Sequence, residues 1–143
     1  MMEKTTFSPE ETKEFGRAQA RELKAGSVVA LSGPLGSGKT VLIQGICSGL
    51  GVTEFVTSPS FVIINEYPGK IKVYHFDLYR LEDVEEFIKL GYEEYFYGNG
   101  ITLIEWAEKI ETFLPEERME INLEILSENE RRILVRRFGC SKV

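Results

Sequence analysis

Apolar residues fall along this chain in short blocks, each bounded by polar or glycine-bearing turns. Lys4 to Phe7 reads as a short strand. It leads into a helix start with Ser8 as N-cap, Pro9 at the first helical position and Glu11 closing a capping box. Periodicity carries that helix to about Lys24, with Gly26 as its stop. The uninterrupted run Val28-Val29-Ala30-Leu31 predicts a strand buried on both faces. Val41-Leu42-Ile43 through Ile46 and Leu50 has helical spacing and is closed by Gly51. A polar, proline-bearing loop, Val56 to Ser60, follows. Phe61 to Glu66 and Ile71 to Asp77 read as two strands joined by a turn at Tyr67-Pro68-Gly69-Lys70. A helix is expected next, with Glu82 and Asp83 in its first turn and Leu81, Val84, Phe87 and Ile88 at helical spacing. Asn99-Gly100 turns the chain into a second buried strand, Ile101 to Glu105. Met119 to Leu126 and Arg132 to Phe138 alternate apolar with polar residues around Ser127-Glu128-Asn129-Glu130, a closing hairpin.

Strands alternating with helices imply an α/β fold of three layers. Its mixed sheet is expected to have a parallel core with antiparallel additions. At 143 residues the chain is expected to form a single domain over 1–143. In open sheets of this kind ligands bind beyond the carboxyl ends of the strands, so residues just after strand ends are the candidates for chemistry.

Composition narrows the classes. A hydrophobic fraction of 43% with 28% charged residues is that of a globular protein without membrane spans. The N-terminus lacks the apolar core of a secretory leader, and Cys47 and Cys140 form no C-x-x-C pair. A cytoplasmic protein with reduced thiols is therefore expected. The net charge of −6 argues against naked nucleic acid as a ligand. Charge is uneven: Glu82 to Glu120 holds twelve acids and three bases, and Ser127 to Val143 five bases and two acids. Solvated faces explain this; complementarity to a protein partner is the alternative. Nothing indicates self-association, so a monomer is expected.

The strongest chemical signal is Gly33-Pro34-Leu35-Gly36-Ser37-Gly38-Lys39-Thr40, which matches G-x-x-x-x-G-K-[ST] between a predicted strand and a predicted helix. In that setting the chain from Gly33 to Val41 wraps backbone N–H groups around a nucleoside triphosphate. The helix N-terminus adds its positive dipole end. Lys39 is expected on the β- and γ-phosphates and the Thr40 hydroxyl on Mg²⁺. The fold expected is thus a P-loop NTPase-like sandwich. Glu105 closes an apolar strand in the manner of a Walker B acid, and Asp77 closes the strand Ile71 to Phe76. Thr40 with at least one of these carboxylates is expected to share one Mg²⁺; the alternative for each acid is a cap on the following turn. Ser58 and Ser60 could order around the γ-phosphate. His75, the only histidine, reads as a packed, hydrogen-bonded residue. Arg80 is expected to pair with Glu82 or Asp83, neutralisation of phosphate charge being the alternative, and Trp106 to serve packing or a partner contact, base stacking being the alternative. The adenine pocket has no motif; Phe7 to Thr12 and Arg131 are candidates.

Ser58-Pro59-Ser60-Phe61, His75-x-Asp77-Leu78-Tyr79-Arg80-Leu81 and Ile104-Glu105-Trp106-Ala107-Glu108, in this order after a P-loop in so short a chain, resemble the bacterial TsaE (YjeE) family. These are small ATPases required for threonylcarbamoyladenosine formation in tRNA. One departure is Ser60, where the family usually has threonine; the hydroxyl is kept. The resemblance implies ATP and Mg²⁺ as cofactors, with Lys39, Asp77 and Glu105 in catalysis and Thr40, Asp77 and Glu105 around the metal. It places Trp106 near the nucleotide and makes Ser58 to Ser60 a switch-like loop. It also implies TsaD and TsaB as partners, which ATP binding and hydrolysis would remodel or reset.

A small P-loop kinase passing the γ-phosphoryl to a hydroxyl acceptor is the competing class. It is weakened by the lack of an arginine-rich lid after Asp77. A GTPase is weakened because no asparagine is followed by the lysine of N-K-x-D.

Overall fold

A computed structural model describes residues 1–54, 56 and 64–139. Seven strands form one sheet: β1 (Met2–Thr6), β2 (Val28–Ser32), β3 (Ile64–Tyr67), β4 (Val73–Asp77), β5 (Ile101–Glu105), β6 (Arg118–Ile125) and β7 (Arg131–Phe138). Their order is β1-β7-β6-β2-β5-β4-β3. The inner four, β6, β2, β5 and β4, run parallel, while β3 and β7 are antiparallel to their neighbours and β1 is antiparallel to β7. This is the mixed sheet with a parallel core that the alternation of elements implies.

The central strand shows why the fold has three layers. In β2, Val29 and Leu31 face one core with Leu42, Ile43 and Ile46, while Val28 and Ala30 face another with Phe76, Phe87 and Ile104. A strand apolar on both faces needs cover on both, and helices supply it. On the first face lie α1 (Pro9–Gln19) and α2 (Lys39–Gly49); on the second lie α3 (Val84–Lys89), α4 (Tyr92–Phe96) and a 3-10 segment over Ala107–Phe113. In β6, Met119, Ile121 and Leu123 are buried while Glu120, Asn122 and Glu124 are half-buried, the alternation that predicts a strand covered on one side.

α1 begins as expected. The Glu11 N–H donates to Ser8 Oγ at 3.1 Å, and Glu11 Oε1 accepts from Phe7 N–H at 2.8 Å. The reciprocal bond thus reaches one residue further back than a standard capping box. The α-helix ends at Gln19, earlier than Lys24, and Ala20–Glu22 continues as 3-10. Glycines explain how tightly α1 lies on α2. A Cβ on Gly45 would collide with the Lys13 carbonyl oxygen, and one on Gly16 with that of Leu42, so the two backbones touch directly.

Two expectations change on the second face. The helix after Asp83 stops at Lys89, and Gly91, at φ +72°, starts a separate helix. Of the apolar positions there, Leu81 and Phe87 are buried, but Val84 is 39% and Ile88 43% exposed. β1 is displaced toward the terminus and leaves Phe7 outside it, exposed. Among the described residues no helix is long and apolar enough to cross a membrane.

Candidate functional site

β2 ends at Ser32, and the chain turns through 33–38 into α2, the strand–loop–helix order expected for a phosphate loop. Gly33 takes φ +142°, and a Cβ there would lie 2.6 Å from the Leu123 carbonyl oxygen of β6. Only glycine fits this first step of the turn. Gly38, at φ +102°, is the N-cap residue of α2 and offers no side-chain cap. First-turn amides of a helix have no intrahelical acceptor, so the α2 N-terminus is suited to an anion. Lys39 is buried, and its Nζ donates to the carbonyls of Gly33 at 2.6 Å and Pro34 at 3.0 Å. That ammonium also sits 3.8 Å from the centre of the Trp106 ring. Burial lowers the Lys39 pKa, opposed by the nearby carboxylates of Glu108, Glu105 and Asp77.

The two strand-end acids come together as the parallel register requires. Asp77 of β4 pairs with Glu105 of β5, and Glu105 in turn lies beside Leu31 of β2. Glu105 is only 3% exposed, and a buried carboxylate requires donors. Thr40 Oγ1 donates to Glu105 Oε1 and Oε2 at 3.0 and 3.2 Å, and His75 Nε2 lies 2.7 Å from Oε2. A hydroxyl that donates its hydrogen keeps its lone pairs, so this pairing is compatible with Thr40 as a metal ligand. Asp77 Oδ1 accepts from the Tyr79 N–H at 3.0 Å and so caps the turn after β4, while Asp77 also lines the cleft. The cap is thus observed, and it leaves Asp77 on the cleft wall.

A cleft of about 350 Å³ opens between these groups, lined by Leu35, Gly36, Gly38, Lys39, Thr40, Val41, Asp77, Tyr79, Glu105 and Trp106. Gly33 and Ser37 of the same loop are both buried and are not part of its lining. Trp106 takes φ +61°, a left-handed conformation that costs a non-glycine residue roughly 1–2 kcal/mol. It turns the chain out of β5 immediately after Glu105, which puts the indole on the wall of the cleft. Its ring centre is 5.1 Å from that of Tyr79, and Lys109 Nζ braces this wall through the Tyr79 and Leu81 carbonyls at 2.6 and 3.2 Å. Ser58 and Ser60 lie outside the described residues.

Arg131, a candidate adenine contact, is held by four backbone carbonyls. Its Nη1 donates to the carbonyls of Ser127, Glu128 and Glu130 within the β6–β7 turn, and Nη2 donates to the Gly36 carbonyl at 3.1 Å. The guanidinium therefore ties the hairpin to the apex of the glycine loop. Arg80 is exposed and pairs with neither Glu82 nor Asp83; the Asp83 carboxylate instead caps α3 through the Glu85 N–H at 3.0 Å. Sequence reasoning overlooked Tyr79 and Lys109; Tyr79 stands two residues after Asp77, a spacing that brings it back over the strand end.

The donor set fits Mg²⁺ with a triphosphate. Thr40, Asp77 and Glu105 offer only hard oxygen ligands. Among the described residues no group of three His, Cys, Asp or Glu gathers that could hold a metal unaided. That suits an ion that keeps most of its shell from water and substrate phosphates. A wider groove of about 970 Å³ lies at the opposite end of the sheet, between Glu22–Val28 and Glu116–Met119. Glu22 and Arg137 on its rim already pair with each other at 2.7 Å.

Comparisons with known proteins point to one family. A family model described as "Threonylcarbamoyl adenosine biosynthesis protein TsaE" matches residues 6–133. The tRNA threonylcarbamoyladenosine biosynthesis protein TsaE of Bacillus subtilis is 46% identical, over 90% of this chain and 80% of its own length. That of Treponema pallidum is 41% identical, over 90% of this chain and 95% of its own. Among solved structures, Bacillus subtilis YdiB superposes with a TM-score of 0.84 at 40% identity, covering 96% of this chain and 86% of that one.

Proposed function

Since the chain belongs to the TsaE family of tRNA threonylcarbamoyladenosine biosynthesis proteins, we propose that it binds and hydrolyses Mg²⁺–ATP as a switch acting on TsaD and TsaB. The observation that carries this reading is the convergence of Lys39, Thr40, Asp77 and Glu105, from α2, β4 and β5, on one cleft at the carboxyl ends of parallel strands.

Lys39 is poised at the centre of the loop, where its ammonium exchanges loop carbonyls for phosphate oxygens when the triphosphate enters. The α2 N-terminus and the amides of the glycine loop orient the phosphate chain. Thr40, Asp77 and Glu105 would hold the metal, directly or through water. When bound, Mg²⁺ offsets charge on the β- and γ-phosphate oxygens. Glu105, kept dry on one side and open to the cleft on the other, holds its carboxylate at a fixed angle toward the phosphates. Trp106 and Tyr79 wall the cleft and limit water beside them.

Asp77, Tyr79 and Trp106 line the cleft and Tyr79 is 48% exposed, so a docked partner can complete the site. This supports slow turnover alone and faster turnover with TsaD and TsaB. Phosphate release from ATP, with and without a purified TsaB–TsaD complex, tests the proposal. Turnover that rises on partner addition supports it. Turnover and nucleotide affinity both indifferent to the partners would remove the switch. Transfer of the γ-phosphoryl to a hydroxyl compound, with no release to water, would replace it with a kinase.

A further inference from the structure

We propose that His75 is a positioning residue that sets the angle of the Glu105 carboxylate. The inference rests on reading the cleft as a site of ATP hydrolysis. Along β4, Val73 and His75 face the same side of the sheet as Tyr67, Leu103 and α2. On that side a continuous chain of polar atoms crosses four elements. The Tyr67 hydroxyl lies 3.1 Å from His75 Nδ1, His75 Nε2 lies 2.7 Å from Glu105 Oε2, and Thr40 Oγ1 lies 3.0 Å from Glu105 Oε1.

His75 is fully buried, so its ring cannot reach substrate, and its role must pass through a neighbour. A carboxylate only accepts, so the Nε2 position facing it carries the hydrogen. The Tyr67 hydroxyl occupies the other ring nitrogen, so both ring nitrogens are engaged and the ring is held at two points. Partners behind a ligating side chain orient it in this way in many metal sites. With Oε2 held by the imidazole, the Glu105 carboxylate cannot rotate about its last bond, and Oε1 stays beside Thr40 at the cleft floor. Packing alone would be served by any apolar side chain of this volume between Val73 and Leu103. The 2.7 Å contact to the one buried acid of the cleft requires a donor.

Two substitutions separate positioning from bulk. The His75→Gln amide nitrogen reaches the place of Nε2 and donates to Glu105; the His75→Asn amide reaches only the place of Nδ1 and leaves Glu105 without that donor. Steady-state phosphate release is measured with partners present, together with thermal unfolding and Mg²⁺ dependence. His75→Asn is expected to lower kcat about 10- to 100-fold, the usual cost of losing such a partner, with little change in the KM for ATP. It should also raise the Mg²⁺ concentration needed for half-maximal rate. His75→Gln should keep about tenfold more turnover than His75→Asn at similar melting temperature. Equal losses in both variants, or a loss in KM alone, would overturn the inference.

Because the chain has one histidine, ¹⁵N-labelled imidazole gives one set of signals, which reads the contact without altering His75. A hydrogen on Nε2, protected from exchange in the wild type and exposed by Glu105→Ala, supports the pairing. A hydrogen on Nδ1 with none on Nε2, or a signal indifferent to Glu105→Ala, overturns it even if the His75 variants do not fold. Absence of ATP turnover in the wild type, with or without partners, would instead overturn the hydrolytic reading, whatever the imidazole signal shows.

Discussion

At the scale of single residues, Lys39 and Arg131 act on the glycine loop from opposite sides. Lys39 fills it from within through the carbonyls of Gly33 and Pro34; Arg131 fastens its apex from without through Gly36. Lys39→Ala removes the one buried cation at the phosphate position and should weaken Mg²⁺–ATP binding by about tenfold or more, read by titration of Trp106 fluorescence. The chain has a single tryptophan, so that signal reports this cleft alone. Arg131→Ala leaves the loop residues in place but frees Gly36. The variant also loses the three Arg131 bonds within the β6–β7 turn. Loss of the charged-donor bond to Gly36, at most about 1.5–3 kcal/mol, should appear as weaker nucleotide binding with kcat at saturating ATP little changed. These two residues were unequally visible in the sequence. Lys39 is specified by neighbours along the chain. Arg131 meets Gly36 across 95 residues, through a hairpin whose turn happens to lie over the loop. His75 stood out only as the lone histidine; its link to Glu105 depends on two strands being adjacent and in register.

At the scale of elements, α2 carries the site, and α1 holds α2 in place by backbone contact. Gly45→Ala drives a methyl group into the Lys13 carbonyl. The helices must then separate, so a destabilisation of roughly 1–3 kcal/mol is expected in urea unfolding, from overpacking. α2 also buries Cys47, whose thiol is pushed up to about 12 by burial. A folded pKa above that of the unfolded chain gives stability that is complete below the ordinary thiol range. It is lost as pH rises from there toward 12, since only the unfolded chain ionises. Stability of the wild type should therefore fall more steeply than that of Cys47→Ala between pH 9 and 11, by up to roughly 1.4 kcal/mol per pH unit from this group. Parallel slopes would remove Cys47 as the cause. The strands, the start of α1 and the span of α2 followed from local pattern, while the early end of α1 at Gln19 did not. On the second face α3 was legible but its burial was not, since Val84 and Ile88 of the expected stripe are exposed, and the separate five-residue α4 after the left-handed Gly91 is too short for periodicity to register.

At the scale of the molecule, four parallel strands direct their carboxyl ends to one side, and the glycine loop, both acids and Trp106 all stand there. That convergence was legible from the sequence because a parallel core and a phosphate loop together dictate it. The order of the outer strands was not, because it depends on which edges pair after the core has formed. The central claim is that a triphosphate and its metal occupy this end of the sheet. A crystal structure with a non-hydrolysable ATP analogue and Mn²⁺ in place of Mg²⁺ tests it most directly. The account predicts an anomalous manganese peak beside Thr40 Oγ1, facing Asp77 and Glu105, with phosphates along the α2 N-terminus. A nucleotide in the groove at the opposite end, or a metal remote from both acids, would contradict it.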